Sequence, residues 1–180
     1  MRVITTDIEG LLIIEPTVYG DGRGYFYESF RSDVLQDFDP NLDFVQDNQS
    51  CSHKGILRGL HFQKNPYAQG KLVRVIQGAV LDVAVDIRKG SKTYGKHLRV
   101  RLDGDNKRML YVPKGFAHGF VTLEDNTLFL YKCTNYYHKE SECSVKWDSP
   151  ELGINWGIEN PVLSSKDLNA PLFSDFISPF

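Results

Sequence analysis

Arg58 and His61 stand inside the stretch GILRGLHFQ (residues 55–63), where Ile56, Leu57, Leu60 and Phe62 favour burial. A guanidinium and an imidazole among such neighbours cost free energy unless each finds a partner. Other side chains able to do chemistry are scattered along the chain: Arg23, Glu28, Lys71, Asp82, His118, Tyr131 and Asp167. Histidine titrates near neutral pH and suits proton abstraction; tyrosine, with an ordinary pKa of about 10, suits proton donation to a carbanion. A lysine beside them stabilises an enolate oxygen. Arg58 and Arg23 suit an anionic handle such as a diphosphate. The set reads as general acid–base chemistry.

Other chemistries fit less well. No G-x-S-x-G elbow is present, and none of Cys51, Cys133 and Cys143 has flanking residues that argue for activation. GDGRGYF (20–26) is glycine-rich but lacks the lysine of a phosphate-binding loop, and no βαβ unit suggests a dinucleotide site. His61 is followed by Phe62-Gln63, so no H-x-H pair forms, and His118 stands alone; no metal is expected.

The elements that must position these groups are mostly strands. Apolar residues recur at spacing two in YFYESF, KLVRVI, AVLDVAVDIR, KHLRVRL, RMLYVP, GFAHGFVTL and TLFLYKCT. One short helix is predicted, with Ser32 as N-cap and DVLQDF running to Asp39-Pro40. Single turns are expected after DSPELG and SSKDL. The pattern indicates an all-β sandwich or barrel, one domain over residues 1–180.

If Gln77-Gly78 is a two-residue hairpin turn, Val73 faces Asp82. Lys71, Val73, Val75, Val80, Asp82, Ala84, Asp86 and Arg88 then share one face, a polar cavity lining. The other face, with Leu72, Arg74, Ile76, Leu81, Val83, Val85 and Ile87, reads as the packed one. A second hairpin through Glu124–Thr127 puts Phe120 opposite Tyr131, with His118 on the same face. Arg58 and His61 have opposite parity, so one cavity can receive both only if Gly59 marks a bulge. His53, His97 and His138 are expected at the surface, and Trp147 and Trp156 in packing.

Bulk properties set the frame. The chain has 180 residues, 41% hydrophobic and 24% charged, with net charge −2. No global basic field attracts nucleic acid. The odd cysteine count favours reduced thiols, and the longest early apolar run, Leu11 to Ile14, is too short for a signal-peptide core or a membrane span. A soluble cytoplasmic location is expected.

DGRGYFYESF, FVQDNQSCS, GILRGLHFQ, QGKLVRVIQGAVLDVAVDIRKGSKTYG, VPKGFAHGF, YKCTNYY, WDSPELGINW and LSSKD follow in order. From about Ile4 to Leu172 the chain resembles the dTDP-4-dehydrorhamnose 3,5-epimerase family, cupin-fold enzymes of deoxysugar nucleotide synthesis. The resemblance implies a double-stranded β-helix (jelly-roll) barrel with a few short helices, a site without metal or cofactor, and a homodimer. It implies a substrate, dTDP-4-dehydro-6-deoxy-D-glucose, whose C3 and C5 flank the C4 ketone. His61 is then the base, Asp167 its orienting carboxylate, Tyr131 the acid on the opposite face, and Lys71 the partner of the enolate oxygen. Arg23, Glu28, Gln46, Asp47, Asn48, Arg58, His118, Glu142 and Lys166 match positions that bind the nucleotide sugar, with Arg23 and Glu28 reaching it from the partner subunit. KGSKTYG carries lysine where proline is usual, and WDSP carries serine where an acid is common; neither touches the implied chemistry. A mono-epimerase, a 3,4-ketoisomerase or a non-catalytic nucleotide-sugar-binding cupin are the alternative readings.

Overall fold

A computed structural model describes residues 1–180. In the first half of the chain the strands are β1 (Arg2–Thr5), β2 (Leu12–Glu15), β3 (Tyr19–Asp21), β4 (Gly24–Phe26), β5 (Gln46–Ser52), β6 (Leu57–Gln63) and β7 (Lys71–Gln77). The second half adds β8 (Ala79–Asp86), β9 (His97–Asp103), β10 (Met109–Val112), β11 (Phe116–Thr122), β12 (Thr127–Cys133) and β13 (Glu142–Ser144). Two helices are present, α1 (Ser32–Gln36) and α2 (Ser165–Leu168), and a 3-10 turn covers Pro150–Leu152. The strands form a six-stranded sheet ordered β1-β2-β10-β7-β12-β5 and a five-stranded sheet ordered β13-β6-β11-β8-β9, with β3-β4 as a separate hairpin. No helix is long and apolar enough to cross a membrane.

The expected strands from KLVRVI to TLFLYKCT are present, but neither expected hairpin is. β7 and β8 lie in different sheets, and so do β11 and β12. Neither strand has a free edge for the other: β7 is flanked by β10 and β12, and β8 by β9 and β11. Gly78, at φ +78°, carries the chain from one sheet to the other. A Cβ there would come within 2.9 Å of the Thr127 backbone, so only glycine fits. The Thr127 hydroxyl accepts the Ala79 N–H at 3.3 Å and donates to the Glu124 carbonyl at 2.8 Å, tying the two crossings together.

The packed face also differs from expectation. Val73, Val75, Val80 and Ala84 belong to the core between the two sheets, with Phe120 and Phe129 stacked at 4.1 Å. The other face divides. Leu72 packs outside the six-stranded sheet with Met109 and with Leu35 of α1. Val83, Val85 and Ile87 pack outside the five-stranded sheet beneath Trp156, Phe173, Phe176 and Phe180. Both outer faces are covered, so hydrophobicity alone does not distinguish inside from outside.

Smaller departures have local causes. α1 starts at Ser32 itself, with Arg31 in the cap position bonded to Asp33, and ends at Gln36. Only residues 24–26 of the YFYESF region are strand. His97 and His138 are half-buried, the latter stacked flat on Tyr67 at 3.7 Å, whereas His53 is exposed as expected. Trp147 and Trp156 pack against each other.

Candidate active site

Strand β6 brings Arg58 and His61 to one cavity by breaking its own alternation. His118 pairs with His61 and Phe120 with Arg58, so two residues of β6 oppose the single residue Gly119 of β11. Gly59 sits at this bulge with φ +142°, and a Cβ on it would lie 2.6 Å from the Gly119 Cα. Gly119 is equally confined: a Cβ on it would lie 2.7 Å from the Arg58 carbonyl oxygen. The two glycines let the backbones meet where side chains could not.

The cavity encloses about 480 Å³. The five-stranded sheet contributes Arg58, His61, His118 and Phe120; the six-stranded sheet contributes Asn48, Lys71, Phe129 and Tyr131; the C-terminal segment adds Leu163, Ser164 and Asp167. His61 and Tyr131 therefore project from facing walls. An adjoining space of about 320 Å³ shares Asn48, His61, Lys71 and Tyr131, and extends to Gln46, Gln69, Cys133, Tyr137 and Glu142.

His61 donates Nε2–H to Asp167 Oδ1 at 2.5 Å, which leaves Nδ1 as the nitrogen able to accept a proton. Burial opposes the charge on Asp167, but hydrogen bonds from His61, Ser164 and the Gly59 amide outweigh it and hold the carboxyl below its ordinary range. Asp167 stays ionised and fixes the imidazole tautomer. Burial raises the Tyr131 phenol above its ordinary pKa, so it stays protonated at neutral pH. Burial also pushes the Lys71 ammonium down, against the attraction of the nearby carboxylates Asp82 and Glu142.

Asp82 lies near enough to Lys71 to attract it, as expected, while its hydrogen bond goes to His118 Nε2 at 2.8 Å; it is fully buried. Arg58 is the exposed residue of its strand, its guanidinium 3.3 Å from the Ser52 hydroxyl. Gln46 donates to Asn48 at 3.1 Å and accepts the Tyr137 N–H at 2.9 Å. Glu142 accepts the Tyr137 hydroxyl at 3.0 Å and pairs with Lys166 at 2.5 Å. Gln46, Asn48, Glu142 and Lys166 thus form one polar rim.

Three sequence candidates are not brought to the cavity of a single chain. Asp47 lies on the opposite face of β5, because strand alternation turns every second residue outward, and it pairs with Lys132 at 3.0 Å. Arg23 sits at the exposed turn of β3-β4, bonded to Asp21 at 2.6 Å. Glu28 follows that hairpin and pairs with Arg31 at 3.6 Å. Sequence reading left out Ser164, Gln69 and Cys133. Inward parity on β12 (Phe129, Tyr131, Cys133) is the signal that would have found the cysteine.

Two facing sheets around a polar cavity, with a His–Asp pair on one wall and a phenol on the other, define a cupin-type barrel. A family model described as dTDP-4-dehydrorhamnose 3,5-epimerase matches residues 5–175, and the chain belongs to that family. A dTDP-4-dehydrorhamnose 3,5-epimerase of Shigella flexneri is 52% identical over 176 residues, 97% of each chain. The solved dTDP-6-deoxy-D-glucose-3,5-epimerase of Legionella pneumophila, in complex with dTDP-4-keto-L-rhamnose, superposes with a TM-score of 0.93 at 50% identity. It covers 98% of this chain and 94% of its own. A 3'-monoepimerase of Streptomyces bikiniensis, in complex with dTDP-quinovose, shares the fold at a TM-score of 0.88 and 35% identity, covering 94% and 86%. The chain is an enzyme of the isomerase class.

Proposed function

We propose that this chain inverts C3 and C5 of dTDP-4-dehydro-6-deoxy-D-glucose to give dTDP-4-dehydro-L-rhamnose, in dTDP-L-rhamnose synthesis. The observation that carries the reading is the placement of His61 and Tyr131 on facing walls of one cavity, the base already held by Asp167. His61 Nδ1 takes the proton from the carbon beside the ketone, and the electron pair of that C–H bond moves onto the C4 oxygen. The Lys71 ammonium stabilises the resulting enolate. Tyr131 returns a proton to the same carbon from the other face, so the centre inverts instead of reverting. The His61 proton leaves to solvent and the Tyr131 phenolate regains one, which balances the cycle for each carbon without a redox step or cofactor.

Arg58 and His118 take the diphosphate in this reading, with Gln46, Asn48, Glu142 and Lys166 holding the rest of the nucleotide. Arg23 and Glu28 reach the site only from a second subunit, so the enzyme works as a homodimer. β1, an edge strand with its outer hydrogen-bonding groups unpaired in the chain, is suited to the exchange. The chain acts as a single domain in the cytoplasm.

The monoepimerase relative makes inversion of one carbon a second reading, since the same barrel supports it. Turnover in heavy water with NMR of the product distinguishes them. Two deuterium atoms, at C3 and C5, are expected. One deuterium means a mono-epimerase, a ketone moved to C3 means a ketoisomerase, and binding without any exchange means a non-catalytic carrier.

A further inference from the structure

The His61–Asp167 pair has a third member. Asp167 Oδ1 accepts the His61 Nε2–H, while Oδ2 accepts the hydroxyl of Ser164 at 2.7 Å. The same hydroxyl oxygen accepts the Asp167 backbone N–H at 3.2 Å, the cap of the single-turn helix α2. A serine hydroxyl has one hydrogen and two lone pairs. Here a lone pair serves the helix and the hydrogen serves the carboxylate. Capping alone requires only the lone pair.

We propose that Ser164 is a positioning residue for the reaction: by anchoring the second oxygen of Asp167 it fixes the rotation of that carboxylate, and through it the direction in which His61 Nδ1 faces the sugar. The Asp167 side chain is 3% exposed, so no solvent can substitute freely for the lost donor. The remaining donor, the Gly59 amide, comes from the bulge that turns His61 inward. One local fold therefore sets both the position of the base and the orientation of its partner. This inference rests on the base role given to His61.

Other charged or titratable groups face the pair. Glu142 on β13 is bonded to Lys166 and Tyr137. Lys71 and Tyr131 face it from the six-stranded sheet, and Arg58 and His118 flank it on the five-stranded one. None of them bonds Ser164, so altering its hydroxyl leaves their contacts in place.

The test compares Ser164→Ala, Ser164→Gly and Ser164→Thr in the full-length enzyme, measuring kcat and KM as functions of pH. Alanine and glycine are expected to lower kcat about tenfold, one hydrogen bond to a charged group, with KM within about twofold. The acid limb of kcat/KM should move to higher pH, because a carboxylate stripped of a donor holds the imidazolium more strongly. Threonine keeps the hydroxyl and should restore both. Glycine caps helices nearly as well as serine, so a Ser164→Gly enzyme with a wild-type profile would make the hydroxyl a helix cap only and overturn the inference. An alanine variant that loses thermal stability and activity with an unmoved acid limb would do the same. A wild-type enzyme that takes up no solvent deuterium would overturn the base role of His61 and this inference with it.

Discussion

His61→Ala is expected to lose turnover and solvent exchange at both carbons together, by about 10³-fold or more, the upper part of the range for a positioned general base. Alanine removes the only imidazole in the cavity that a carboxylate holds from the C-terminal segment. The remaining histidine, His118, is committed through Nε2 to buried Asp82. No neighbour is placed to take over. Substrate affinity should change little, because Arg58 and the rim formed by Gln46, Asn48, Glu142 and Lys166 remain. Deuterium incorporation followed by NMR, with binding measured separately by calorimetry, checks both parts. Retained exchange at one carbon would mean that a second base serves it.

Tyr131→Phe should separate two steps that His61→Ala abolishes together. The base can still remove a proton, and Lys71 still faces the enolate, but the opposite wall has lost its donor. Inverted product is expected to fall about 10²-fold, while recovered substrate carries deuterium at the same carbons. Burial keeps the phenol protonated well above neutral pH, so the wild-type acid should function across the range in which His61 is a base. Loss of exchange and inversion in equal measure would instead make Tyr131 part of the deprotonation.

How much of this was legible in the sequence depended on the kind of information required. Strands β7 to β12 were visible because alternating apolar residues leave a period of two. β5 was not, because QDNQSCS has polar residues on both faces, one set lining the cavity and the other in solvent. Pairing was harder still. The inward parity of Val73, Val75, Val80 and Asp82 is the same whether β7 and β8 form a hairpin or cross between sheets, so the sequence pattern cannot choose between them. His118, Phe120, Phe129 and Tyr131 all line the cavity for the same reason, although β11 and β12 are not paired.

The bulge was legible from chemistry alone: two polar residues of opposite parity around a glycine require one. The His61–Asp167 contact was not, since 106 residues separate the partners and no local spacing encodes it. It entered through family resemblance, and the fold brings the two into hydrogen-bond distance. Arg23 and Glu28 show the opposite limit. Their types suit an anionic sugar nucleotide, yet on one chain they lie on an exposed arm, bonded to Asp21 and Arg31.

The central claim, that base and acid address the sugar from opposite faces, is tested most directly by a crystal structure of the enzyme with the dTDP-linked product bound. His61 Nδ1 is expected within hydrogen-bond reach of C3 or C5 on one face of the ring, with the Tyr131 hydroxyl on the other and Lys71 at the C4 oxygen. An imidazole and a phenol on the same face, or a sugar ring seated away from His61, would contradict it.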